Sequence, residues 1–118
     1  MRLTPFIIEA AYEFLRATPP YRGWKLPHAD DVEFVITRNM KKMAHHCGYH
    51  RDRFRHEIGV SELCVSFSDT LLRCVGHEMI HQYQQRKGTE TPNTEHNAEF
   101  MRLARSACRQ HGWDPRSF

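Results

Sequence analysis

The stretch Gly76-His77-Glu78-Met79-Ile80-His81 decides how this chain is read. It lies inside a largely apolar run from Leu71 to Tyr83, and Leu71 to Lys87 is predicted as a helix that ends on a basic residue followed by Gly88. On such a helix His77 and His81 stand one turn apart on one face, with Cβ atoms about 5–6 Å apart. Imidazoles at that spacing fill two corners of a tetrahedral zinc site, at about 2.0–2.1 Å from the ion, without distorting the backbone. Glu78 projects about 100° round the helix from His77. Its carboxylate then lies beside the ion, as general base on a zinc-bound water whose pKa falls to about 7.

The residues before the motif supply its setting. Glu62-Leu63-Cys64-Val65-Ser66-Phe67 alternates as a half-buried strand does, and Ser66 or Ser68 is placed to cap the helix that follows. Farther upstream, Thr4-Pro5 reads as a cap with proline at the first helical position, and Ile7, Ile8, Ala11, Phe14 and Leu15 form an apolar stripe that Pro19-Pro20 closes. Tyr21 to Asp31 is a connector, and Val32 to Arg38 a β-branched strand that Asn39 ends. Asn39 to Ala44 has the composition of a short helix and Gly48 that of a turn.

Composition narrows the class. The chain has 118 residues, 40% hydrophobic and 26% charged, as expected of one soluble domain spanning residues 1–118. No apolar run reaches the roughly 18 residues that suggest a membrane span. Glu9 and Glu13 interrupt the first apolar stretch, so no signal peptide is expected and an intracellular, cytoplasmic setting is. Cys47, Cys64, Cys74 and Cys108 contain no Cys-x-x-Cys pair, which argues against a zinc ribbon and fits reduced thiols. The net charge of +3 is too weak to declare nucleic-acid binding.

Two other polar groupings have simpler explanations. Arg51, Arg53 and Arg55 alternate ahead of His56-Glu57-Ile58-Gly59-Val60, and charge of this kind is common on solvated strand edges. His45, His46, Cys47 and His50 are ligand types, but adjacent side chains diverge on any regular backbone, so they read as surface residues.

A catalytic zinc site needs a third protein ligand and an open position. The predicted last helix, Glu95 to Gln110, capped by Thr94 or Asn93 and stopped at Gly112, offers Glu95, His96 and Glu99. His96 and Glu99 are three apart and share a face of that helix, so one can bind the ion while the other supports it. Phe100, Leu103, Ala104 and Ala107 form its core face, and Arg102, Arg105 and Arg109 a solvated one.

With these residues in place, the chain resembles the SprT-like family of zinc metallopeptidases. The likeness rests on Gly76-His77-Glu78-Met79-Ile80-His81-Gln82-Tyr83, where the family shows His-Glu-Met-x-His followed by an aromatic. It rests also on His96-Asn97-Ala98-Glu99-Phe100, where the family shows His-Gly-x-x-Phe. The resemblance implies an α+β, zincin-like fold in which a small mixed or antiparallel sheet packs with an N-terminal helix, the motif helix and a C-terminal helix. It implies Zn2+ on His77, His81 and His96, with Glu99 outside the ligand set, Glu78 as general base, and peptide-bond hydrolysis in protein substrates, possible DNA-associated proteins and DNA itself among the partners. Two departures stand out. Asn97 replaces the usual glycine, a change that asparagine's tolerance of unusual backbone angles makes mild, and a minimal core without the C-terminal zinc ribbon of many members is expected. The alternative from another class is a zinc-stabilised module that binds nucleic acid or protein with little hydrolysis. Tyr49, His50 and His56 are the residues from which an oxyanion partner could come.

Overall fold

The computed structural model describes residues 2–48 and 56–118. Arg51, Arg53, Arg55, Tyr49 and His50, singled out above, lie outside them. The main elements, in chain order, are helix α1 (Pro5–Arg16), strands β1 (Val32–Thr37), β2 (Ala44–Gly48) and β3 (His56–Ser61), helix α2 (Ser68–Lys87) and helix α3 (Ala98–His111). This is an α+β arrangement with a mixed sheet ordered β1-β3-β2, β1 parallel to β3 and β2 antiparallel to it.

α1 starts as its sequence dictates: the Thr4 hydroxyl accepts a hydrogen bond from the Ile7 amide at 3.2 Å, and Pro5 fills the first turn. Its buried stripe is Ile8, Ala11, Tyr12 and Leu15. Tyr12 belongs there because its hydroxyl donates to the Pro27 carbonyl at 2.6 Å, whereas Phe14, expected inside, is exposed.

The sheet corrects three expectations. Asn39 to Ala44 is not a helix; the Asn39 side chain accepts from the amides of Lys41 and Lys42, turning the chain into β2, of which Gly48 is the last residue. Glu62 to Phe67 is not a strand. The Ser61 carbonyl accepts from the amides of Cys64 and Val65, so the chain turns as β3 ends, and Leu63 and Phe67 stay exposed while Val65 is buried. The central strand is instead His56–Ser61, buried at five of six positions. A strand flanked on both sides and covered shows near-continuous burial rather than alternation. The third correction concerns capping: Phe67 is the N-cap of α2 and makes no side-chain cap bond, while Ser68 is already helical.

α2 runs through the middle of the molecule, packed on α1, on β2 and β3, and on α3. Burial of Val75, Gly76, Met79, Ile80, Gln82 and Gln84 on several sides of one helix follows from that position. Gly76 is required by close approach: a Cβ there would stand 2.6 Å from the Tyr21 hydroxyl and 3.1 Å from the Trp113 ring. The Tyr21 hydroxyl donates to the Gly76 carbonyl at 3.0 Å. Glycine inside a helix costs about 1 kcal/mol relative to alanine, and here it admits two aromatic rings beside the histidine motif. No helix among the described residues is long and apolar enough to cross a membrane, and all four cysteines are free.

Candidate metal centre

His77 and His81 stand on the same face of α2, with ring centroids 5.1 Å apart. His96 completes the group from the connection between α2 and α3, its ring 4.9 Å from that of His77 and 5.2 Å from that of His81. One ring nitrogen from each lies within 4.8 Å of the others. Phe100, buried in the first turn of α3, is the platform beneath them, with its ring 4.5–4.9 Å from all three imidazoles.

The loop that carries His96 differs from the helix expected there. α3 begins at Ala98, and its N-cap is Asn97, so Glu95 and His96 precede the helix. Asn97 has extended backbone, φ −74° and ψ −178°; its value lies in its side chain, not in unusual angles. The Oδ1 atom accepts from the Phe100 amide and from the Gln84 amide group, both at 2.9 Å. The Nδ2 atom donates to the Thr89 carbonyl and to Thr91 Oγ1, also at 2.9 Å. One residue thus ties α2, the connection and α3 together immediately after His96. Glycine cannot do this. The signal was legible, since asparagine three residues before an apolar position in the first turn is an N-cap pattern.

Glu99 does not face His96. Its carboxylate accepts from Gln84 Nε2 at 3.0 Å, from the Thr89 hydroxyl and from Lys87 Nζ at 3.3 Å. Placing His96 outside the helix breaks the three-residue spacing that would have aligned the two side chains. The oxygen that meets a histidine of the group is instead the Phe118 main-chain oxygen, which accepts from His77 Nδ1 at 3.0 Å. With a proton on Nδ1, the Nε2 lone pair of His77 is directed at His96 Nε2, 3.1 Å away. Sequence reading had no means of finding Phe118, a contact 41 positions away.

The donor set suits a metal ion. His81 Nε2 is buried without a hydrogen-bond partner among the described residues, and a buried polar atom of that kind calls for an explanation such as an ion. Burial, and then the neighbouring His96, lowers His77 to about 4, against the Phe118 oxygen and Glu95; burial, then His77 and His96, lowers His81 to about 3. Both are therefore neutral at physiological pH, which is the form that ligates. Imidazole nitrogen is a zinc ligand, and three leave a fourth position open.

Glu78 is 8% exposed and lines a cleft of about 250 Å³ with Lys42, Met43, Ala44, His77, Glu95 and Phe118. Burial pushes its carboxyl up to about 7, with Lys42 opposing the rise and Glu95 adding to it. It is thus poised between acid and base near neutrality. His56 is buried and stacks on His46, with His46 Nε2 and His56 Nδ1 2.9 Å apart, so this histidine belongs to the interior of the sheet.

Comparison with known proteins gives one match and two blanks. The model of the SprT-like family matches residues 11–116. Neither the curated proteins nor the solved structures contain a match.

Proposed function

We propose a function from a plain premise: this chain belongs to the SprT-like family, whose domains are generally of metallopeptidase type. The reading is a zinc-dependent, zincin-type hydrolase of peptide bonds in protein substrates, and the observation that carries it is the His77, His81 and His96 cluster with Glu78 buried at its side. These three histidines would hold Zn2+, which when bound supplies a Lewis acid that activates water and polarises a carbonyl.

The remaining chemistry belongs to the chain. Glu78 takes the proton of the attacking water and returns it to the leaving amine, a role suited to a carboxyl that titrates near 7. Lys42 lines the cleft, and its charge is felt at both Glu78 and His81; it is placed to stabilise negative charge that develops on the carbonyl oxygen. Phe118 and Phe100 fix the orientation of the imidazoles. β2 is one of the two edge strands of the sheet among the described residues, and Met43 and Ala44 line the cleft where it begins, so an extended peptide can lie along it by strand addition. A module that used metal for stability alone would gain nothing from a buried carboxylate in the cleft, since burying one is costly.

The experiment is to incubate zinc-loaded protein with denatured protein and with DNA-binding proteins, with and without single-stranded DNA. Cleavage by the native chain, slowed by orders of magnitude in Glu78→Gln, is expected. Zinc-dependent DNA binding without cleavage would replace this reading with the binding module.

A further inference from the structure

A second group of donors converges on the other face of the sheet. A Cβ on Gly48 would point at the Gln85 side chain of α2, so Ala44, His46 and Gly48 face that helix and His45 and Cys47 face away from it. In the β2–β3 register Cys47 is opposite Glu57 and His45 is opposite Gly59. Strand alternation thus puts an imidazole, a thiol and a carboxylate on one face. Adjacent histidines do diverge here, as expected: His46 turns inward to His56 while His45 turns outward.

The geometry depends on Gly59. A Cβ at that position would stand 2.1 Å from His45 Cε1 and 2.7 Å from both ring nitrogens. Without a side chain on Gly59 the ring lies across the neighbouring strand, and His45 Nε2 reaches Glu57 Oε2 at 2.5 Å. One donor atom from each of His45, Cys47 and Glu57 lies within 4.8 Å of the others. In a tetrahedral zinc site such atoms are about 3.3–3.6 Å apart, so the ion would require the thiol to move inward and the nitrogen–oxygen pair to open by about 0.8–1.1 Å, within reach of side-chain rotation.

We propose that His45, Cys47 and Glu57 form a second metal site, for a borderline divalent transition ion such as Zn2+, separate from the three-histidine group and independent of the peptidase reading. Nitrogen, sulfur and oxygen donors select such an ion, whereas calcium and magnesium require oxygen alone. The ion displaces the proton that His45 and Glu57 share and the proton of the Cys47 thiol, and water takes the fourth position. Cys47 is exposed, which gives the ion access, while the His45 and Glu57 side chains are 23% and 19% exposed and partly shielded. Occupancy would clamp β2 to β3, and β2 is the edge strand that begins at the wall of the cleft.

Cobalt titration of the full chain separates the two sites, because a thiolate ligand gives a sulfur-to-cobalt charge-transfer band in the near ultraviolet and a site of imidazoles alone does not. The native protein should show that band, growing in with one equivalent of Co2+ in addition to that taken by the three-histidine group. Cys47→Ser should lose the band and that equivalent; the residue is exposed, so the fold is retained. Gly59→Ala keeps all three donors but evicts the ring, and it should lose the band too. His81→Ala should keep it, so failure of the three-histidine site leaves this result intact. Absence of the band from the native protein, or its survival in Cys47→Ser, overturns the proposal.

Discussion

The two donor groups found among the described residues are made from similar residues on different scaffolds. His77 and His81 come from one helix and His96 from a connection held by Asn97, and the rings close over Phe100. His45, Cys47 and Glu57 come from two adjacent strands and stand on one face by alternation alone. In the first group burial makes His77 and His81 reluctant to accept a proton and leaves His81 Nε2 without a partner. In the second, His45 and Glu57 already satisfy each other. A donor withheld from both water and hydrogen bonds is prepared for an ion at all times, whereas a donor pair bridged by a proton must first give that proton up. The two carboxylates differ in the same sense, Glu78 raised by burial beside its cluster and Glu57 paired with a histidine inside its own.

The largest effect expected from this contrast is that of His81→Ala. It should abolish stoichiometric zinc at the three-histidine group and all peptide cleavage, whereas Cys47→Ser should leave cleavage near native. Elemental analysis of His81→Ala in the Cys47→Ser background, beside a peptidase assay, checks both, and retention of tight zinc in that double variant would place the principal metal elsewhere.

Next in size is the pair Glu78→Gln and Glu57→Gln. The first should lower kcat by about 10²–10⁴-fold with zinc retained, the usual contribution of a positioned acid–base group. The second should change kcat little. Equal losses in the two would erase the distinction between a base and a ligand.

Acid should separate the metal-free protein from its zinc-loaded form. Burial, then His56, His81 and His45, lowers His46 to about 3, and His77 and His81 are lowered to about 4 and about 3. In the unfolded chain each titrates near about 6.5, so below that pH the unfolded state takes up protons that the native state refuses. Their stabilisation is complete above about 6.5 and is lost as the pH falls towards the folded values. Glu78 has the opposite sign: raised by burial to about 7, it holds a proton in the native state that the unfolded state releases, which offsets part of the loss. The urea midpoint of metal-free protein should therefore be lower at about pH 5 than at about pH 7.5, and the drop should be larger in Glu78→Gln. A midpoint that holds or rises on acidification contradicts the burial of these rings.

The smallest effects concern what holds His96. Asn97→Ala removes an N-cap and should cost about 1–2 kcal/mol of stability, with weaker zinc binding because His96 is no longer anchored. Glu99→Ala should cost about 1 kcal/mol through its bonds to Gln84 and Thr89 and leave zinc affinity nearly unchanged. A zinc titration with urea melts on both variants tests the ranking. A large affinity loss confined to Glu99→Ala would return that carboxylate to the histidine.

The helices were largely legible because their determinants are local. Thr4-Pro5, the Gly88 and Gly112 stops and the Phe100, Leu103, Ala104, Ala107 face act within a turn or two of themselves. The sheet was not, because Ala44–Gly48 has no apolar alternation of its own and becomes a strand by pairing with β3. Leu63, Val65 and Phe67 alternate but pair with no strand among the described residues once Ser61 turns the chain.

For the candidate site the division is similar. The i, i+4 relation of His77 and His81 and the place of Glu78 beside them follow from helical periodicity, and so the sequence by itself determined them. Only the tertiary structure decided that His96 approaches from a connection, that Phe118 rather than Glu99 orients a histidine, that Lys42 borders the cleft, and that His45, Cys47 and Glu57 meet across Gly59. The physical reason is separation along the chain. A helix brings residues together through its own hydrogen bonds within four positions, whereas these contacts exist only after distant segments have paired or packed, and no local preference encodes which partner they meet.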